Sequence, residues 1–132
     1  MLVDTHAHIG GGDTDEAEVI SDLENGCPDR IVCASYDVAS SERSVLLARK
    51  HEKLYCAVGV HPSDSQRLTS DPCEKLFSLA SDRKNKVVAI GEIGLDYYYD
   101  IPKDFQLRVF EEQLTLANEL SMPVCVHDRE AH

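Results

Sequence analysis

The sequence predicts an α/β chain of about five parallel strands and four helices. Three observations predict it. Short apolar runs rich in Val, Ile and Ala recur along the chain. Segments with helical spacing separate them. Residues able to bind a metal stand at the ends of four of the five runs.

The first run is Leu2-Val3-Asp4, and its extension Thr5-His6-Ala7-His8 follows directly. Asp13–Asn25 reads as the first helix: Ala17, Ile20 and Leu23 recur at spacings near three, and Gly26 stands where a helix stops. Ile31–Ala34 is the second strand and Ser41–His51 the second helix. Tyr55–Val60 is the third strand. The third helix opens at Asp71-Pro72-Cys73-Glu74, where Asp71 can cap, Pro72 suits the first turn and Glu74 can reach back. Val87–Ile90 is the fourth strand. The longest helix, Lys103–Leu120, places Phe105, Val109, Leu114, Ala117 and Leu120 on one stripe. Pro123 then blocks helix continuation, and Val124–Val126 forms the last strand. The runs are continuous rather than alternating, as in strands covered on both faces.

Strict β-α alternation implies parallel strands joined by crossover helices. Two folds satisfy it, a doubly wound open sheet and a (β/α)8 barrel. A dinucleotide-binding sheet carries a Gly-rich turn after its first strand. Here His6, Ala7 and His8 fill that place, and Gly10-Gly11-Gly12 has the wrong spacing, which lowers the first option.

Composition narrows the function classes. The chain has 132 residues, 42% hydrophobic and 28% charged, which suits one globular domain. No run of about 18 apolar residues exists, so no membrane partner is expected. The N-terminus has no basic region and no long apolar stretch, so it does not read as a secretory signal. The five Cys form no C-x-x-C pair. Cys33, Cys56 and Cys125 sit in apolar runs as buried reduced thiols would, which points to the cytoplasm. A net charge of −11 argues against a broad basic surface for nucleic acid. Bound cations can still invert the field of an acidic cleft.

The ligand-type residues are His6 and His8 after the first strand, His61 after the third, Glu92 after the fourth and His127 after the fifth. The second strand ends near Ala34-Ser35 with no such residue. In a parallel barrel the C-terminal strand ends share one rim, where chemistry is done. His6 and His8, two apart on an extended strand, face the same way and can share one cation. Imidazole and carboxylate donors suit zinc, manganese and similar ions. Glu92 lies in Gly91-Glu92-Ile93-Gly94-Leu95-Asp96, where the glycines allow close backbone approach. His51 and His132 fit no such pattern and read as ordinary. Tyr97-Tyr98-Tyr99 reads equally well as a stack for bases or as packing under a loop.

The stretches Asp4-Thr5-His6-Ala7-His8, Gly59-Val60-His61-Pro62, Gly91–Asp96 with Tyr97-Tyr98, and Pro123–Ala131 resemble, in order and spacing, the signatures of the TatD family of deoxyribonucleases. Phe105, Gln106, Phe110, Gln113, Leu114 and Ala117 resemble the family's helix before the fifth strand. The resemblance runs from Leu2 to His132. It implies a TIM-type (β/α) barrel of the amidohydrolase superfamily, present here as a partial barrel forming the N-terminal portion. It implies two divalent metal ions (Zn, Mn or Mg) and hydrolysis of DNA phosphodiester bonds, often as a 3′-to-5′ exonuclease. By the same resemblance His6, His8, Glu92 and His127 are metal ligands, with Glu92 bridging. His61, Glu92 and Arg129 are catalytic, and His61, Asp96 and Arg129 contact substrate.

A full (β/α)8 barrel needs about 250 residues. The family's later His and Asp ligands, the Asp being its usual candidate for activating water, lie outside the stretches matched here. Exposed parallel edges are therefore expected, either in a fragment of a longer protein or in a self-associating chain. Two other readings stand beside the nuclease. One is another hydrolase of the superfamily, such as a D-aminoacyl-tRNA deacylase. The other is a non-catalytic truncated fragment that self-associates.

Overall fold

The structure, a computed structural model, describes residues 1–10, 15–67 and 72–132. Five strands alternate with four helices: β1 (Val3–Ala7), α1 (Glu16–Glu24), β2 (Arg30–Ala34), α2 (Val38–Lys50), β3 (Leu54–Val58), α3 (Cys73–Ser81), β4 (Val87–Asp96), α4 (Lys103–Glu119) and β5 (Val124–Arg129). Segments of 3-10 helix lie at Pro62–Arg67, two turns, and Arg83–Asn85, one turn.

All strand pairs are parallel, and the spatial order is β1-β2-β3-β4-β5. A doubly wound sheet reverses its strand order at a switch point, and this sheet does not. The sheet is also strongly curled. In a flat sheet, strands four places apart lie about 19 Å from each other, yet Cys125 Sγ on β5 reaches within 3.3 Å of His6 Nδ1 on β1. Sequential order plus curl is half of a barrel wall.

The core is one cluster in which Ile31, Cys33, Leu54, Cys56, Val58 and Ile93 from strands meet Leu23, Val45, Leu47, Leu76 and Leu116 from helices. Burial pushes the Cys56 thiol up to about 12, with Cys33 adding to the effect and Lys86 opposing it. Cys33 and Cys56 are buried as the sequence suggests, whereas Cys125 is only partly covered. Among the described residues no helix is long and apolar enough to cross a membrane.

Two lysines repeat one device at the N-terminal end of the sheet. Lys53 Nζ, just before β3, donates to the α1 carbonyls of Leu23 (3.1 Å) and Glu24 (3.4 Å). Lys86 Nζ, just before β4, donates to Ala48, His51 and Glu52 at 2.7–2.9 Å, closing the end of α2. Cations at helix C-termini meet both the orphan carbonyls and the dipole.

Three boundaries and one buried face differ from the sequence reading in ways that matter to the site, and β3 and β5 end at Val58 and Arg129 rather than Val60 and Val126. Helix α1 begins after Asp15, whose carboxylate accepts from Ala17 N (2.9 Å) and Glu18 N (3.4 Å). Asp13, and the cap assigned to Asp71, lie outside the described residues. Helix α2 starts three residues early because Asp37 and Ser40 form a capping box. Strand β4 runs on to Asp96, so Glu92 sits within it rather than at its end. On α4 the buried face is Gln106, Val109, Gln113, Leu116 and Ala117, while Leu114 is exposed. Polar residues displace Leu114 from that face because each amide replaces a backbone partner. Gln113 Oε1 accepts from Val60 N (2.8 Å) and its Nε2 donates to Val60 O (3.1 Å). Gln106 does the same for Asp96, at 2.8 Å in both directions.

Candidate metal centre

His6 and Glu92 meet although β2 and β3 separate their strands. His6 Nε2 is 3.2 Å from Glu92 Oε2, His8 Nε2 is 3.6 Å from the same oxygen, and the two imidazole Nε2 atoms are 3.3 Å apart. A tetrahedral zinc ion with metal–ligand bonds near 2.05 Å holds its donors about 3.4 Å apart. The three donors already stand at that spacing. The tautomer is also set. His8 Nδ1 lies 2.9 Å from the Ala34 carbonyl, which can only accept, so Nδ1 carries the proton and the Nε2 lone pair points to Glu92. His6 Nδ1 rests on the Cys125 thiol, whose pKa is raised by burial and then by Glu92.

Glu92 uses its other oxygen on β5, where Oε1 is 3.2 Å from His127 Nδ1. His127 Nε2 is in turn 3.0 Å from Asp96 Oδ2. His127 thus stands between two carboxylates, Glu92 and the 1% exposed Asp96. His61, Asp96 and His127 form a second group with ligand atoms within 4.8 Å of one another, beside the His6-His8-Glu92 group. The donor chemistry of both groups fits divalent cations, with imidazole nitrogen and carboxylate oxygen in each.

Glycines make this convergence possible. Gly91 lies so close to β5 that a Cβ there would stand 2.6 Å from Cys125 Cβ. Gly94, at φ +144°, pairs with His127, and a Cβ there would overlap the His127 carbonyl oxygen. Any side chain at either position would push β5, and His127 with it, away from Glu92.

The remaining sequence-predicted residues surround the second group. The Ser63 amide donates to His61 Nδ1 at 3.1 Å, and since an amide cannot accept, the His61 ring proton lies on Nε2. The His61 ring packs edge-on against His127, with centroids 4.2 Å apart. Burial, reinforced by His127, lowers the His61 pKa below 6.5, with Glu92, Asp64 and Asp96 opposing. Arg129, at the end of β5, holds its guanidinium carbon 3.7 Å over the Tyr98 ring. His61, Asp96, His127 and Arg129 line one cleft of about 710 Å³ with Tyr36 and Tyr99.

His51 and His132 are far from this convergence in role. His51 closes α2 and lies 3.4 Å from Glu24, and His132 is an exposed residue 4.0 Å from Asp128. Sequence reasoning passed over Cys125, which touches His6, and Ser35, whose carbonyl accepts from Glu92 N at 2.8 Å. It also missed the pairing of Asp96 with His127. The spacing of Glu92 and Asp96 along β4, an even number of residues apart, was the available signal for a shared face.

Residues 3–132 match the family described as TatD related DNase. The chain belongs to that family. It is 39% identical to the uncharacterized metal-dependent hydrolase YabD of Bacillus subtilis, over 99% of this chain and 52% of that protein. It is 34% identical to the 3′-5′ ssDNA/RNA exonuclease TatD of Cronobacter sakazakii, over 91% of this chain and 45% of that protein. The crystal structure of the TatD homolog YjjV from Escherichia coli superposes with a TM-score of 0.87 at 30% identity, covering 99% of this chain and 52% of that one. The TatD-family chain therefore spans about half the length of these relatives, and its five parallel strands are half of a TIM-type barrel.

Proposed function

We propose that residues 1–132 supply part of the active site of a metal-dependent phosphodiesterase, a TatD-like deoxyribonuclease that trims DNA from its 3′ end. The observation that carries this reading is the convergence of His6, His8, Glu92 and His127, from three strands, at donor spacings a small cation fits. The relatives named metal-dependent hydrolase and 3′-5′ ssDNA/RNA exonuclease support the reaction class.

In this reading His6, His8 and Glu92 hold one divalent ion, and Glu92 with His127 holds part of the shell of a second. Zinc and manganese suit the mixed nitrogen and oxygen donors better than magnesium, which favours oxygen. When bound, the ions supply Lewis acidity and charge neutralisation for a phosphoryl group. Asp96 orients the His127 ring, in the way outer carboxylates fix metal-bound imidazoles. His61 offers its Nε2–H to a phosphate oxygen or to the leaving oxygen. Arg129 holds phosphate through charge-assisted hydrogen bonds. The buried thiols fit a cytoplasmic setting.

Calorimetric titration of the chain with zinc or manganese tests the centre directly. Binding should release protons, and His6→Ala or Glu92→Ala should weaken it by about tenfold or more. Equal affinity in wild type and both variants removes the assignment. Product analysis on 3′-labelled single-stranded DNA tests the substrate, with an aminoacyl-tRNA ester as the competing substrate. Ester hydrolysis without DNA cleavage moves the assignment to a deacylase.

A further inference from the structure

Three consecutive tyrosines follow β4, and the structure separates their roles. Tyr97 is half-buried, with Lys103 Nζ 4.3 Å over its ring. Tyr98 and Tyr99 are 56% and 49% exposed, which is unusual for two adjacent aromatic rings. They pack edge to face, with centroids 5.2 Å apart. Among the described residues neither hydroxyl meets a protein partner. Packing beneath a loop does not account for them.

Their position is fixed from the metal centre outward. Asp96 gives one carboxylate oxygen to His127 at 3.0 Å and the other to the Tyr98 amide at 3.1 Å. The Tyr97 amide donates to the Arg129 carbonyl at 2.9 Å, tying the segment to the end of β5. One face of Tyr98 carries the Arg129 guanidinium at 3.7 Å, and no carboxylate pairs with Arg129 among the described residues. Tyr99 and Arg129 line the same cleft as His61, Asp96 and His127. A flat ring and a planar cation thus stand side by side, next to the groups that would face a phosphate.

We infer that Tyr99 is the stacking surface for an unpaired base at the end of a single-stranded nucleic acid, with Arg129, held flat by Tyr98, taking the adjoining phosphate. This rests on the phosphodiesterase reading above and adds how that site selects its substrate. Every base has a π-face, so such a platform is indifferent to sequence. A base engaged in a duplex cannot present that face, so the platform favours single strands. Arg stacks on aromatic rings and keeps its in-plane donors free for phosphate, so Tyr98 is a positioning residue for Arg129.

The test uses manganese-loaded protein and a hexathymidylate ending in 3′-terminal 2-aminopurine, whose fluorescence is quenched on stacking. Wild type should quench it, and should bind a stably paired duplex with the same 3′ end far more weakly than the single strand. Tyr99→Ala should lose the quench and weaken binding about tenfold or more, while Tyr99→Phe should keep both. Replacing the terminal base by an abasic sugar should cost wild type the same factor and cost Tyr99→Ala nothing further. Tyr98→Ala should add no loss to Arg129→Ala, and Tyr98→Phe should behave as wild type. Equal quench and affinity in Tyr99→Ala and wild type overturns the platform. Hydrolysis is read alongside: quench together with hydrolysis of an aminoacyl ester and not of DNA sinks the nuclease reading alone, and DNA cleavage with no quench sinks the platform alone.

Discussion

A neutral imidazole has one N–H, and His127 faces two carboxylates, Glu92 at 3.2 Å and Asp96 at 3.0 Å. In the proposed centre His127 and Glu92 would help hold a cation while the other ring nitrogen of His127 turns to Asp96, as outer carboxylates orient metal-bound imidazoles. His61, by contrast, is held neutral. Its folded pKa lies below 6.5 through burial and the adjacent His127. As pH falls the unfolded chain, with the ordinary imidazole value, takes the proton first. The stability this group contributes is therefore complete above about 6.5 and is lost as pH falls from there toward the lowered folded value. In the metal-free protein a histidine-selective NMR titration should place the His61 midpoint below 6.5, and His61→Asn should lose less stability than wild type over that interval. A midpoint at or above 6.5 contradicts the environment described here.

The candidate centre also depends on side chains of α4 that lie outside it. Helix α4 fixes two strand ends through Gln113 and Gln106, two turns apart on one face. Val60 is 1% exposed, and both of its peptide groups bond to Gln113. Removing that amide strands a buried donor and a buried acceptor next to His61. Gln113→Ala should then cost about 2–4 kcal/mol in urea unfolding, from about 1–3 kcal/mol per unsatisfied group with partial relaxation. Gln113→Glu should recover less than half, because a carboxylate can accept from Val60 N but cannot donate to Val60 O. This dependence was illegible from periodicity, which scores glutamine as surface and so favoured Leu114. The strands were legible because Ile31–Ala34 and Tyr55–Val60 are apolar without interruption. The extension of β4 was not, because Gly91, Glu92 and Gly94 break the apolar pattern to let β5 approach. The ligand-type residues were readable from the ends of the apolar runs, but the pairing of Asp96 with His127 needed the register of β4 on β5.

At the scale of the whole sheet, the described residues leave two open edges, β1 and β5. Val124 and Val126 are 40% and 52% exposed, and alternate with Cys125 and His127, so they face away from the site. Helices α2 and α4 cover β3 and β4, and no helix covers β5 among the described residues. On the other edge Leu2 and Val3 are 60% and 37% exposed. Burying a valine contributes about 1.5 kcal/mol, so a few such contacts plus edge hydrogen bonds can drive pairing of two wall pieces. The net charge of −11 opposes it. Repulsion between exposed charges is screened beyond about 8 Å at physiological salt, whereas burial of valine is not weakened by salt. Burial should therefore win, and win more clearly as salt rises. Sedimentation velocity on the 132-residue chain should show self-association that strengthens with protein concentration and with added salt. Val126→Lys, a charge on the exposed edge strand, should shift the chain toward monomer without lowering its cation affinity, because Val126 points away from His6, His8 and Glu92. A chain that stays monomeric at every concentration and salt would show that the edges are self-protected. Loss of cation binding in Val126→Lys would instead mean that the two faces of β5 are not independent.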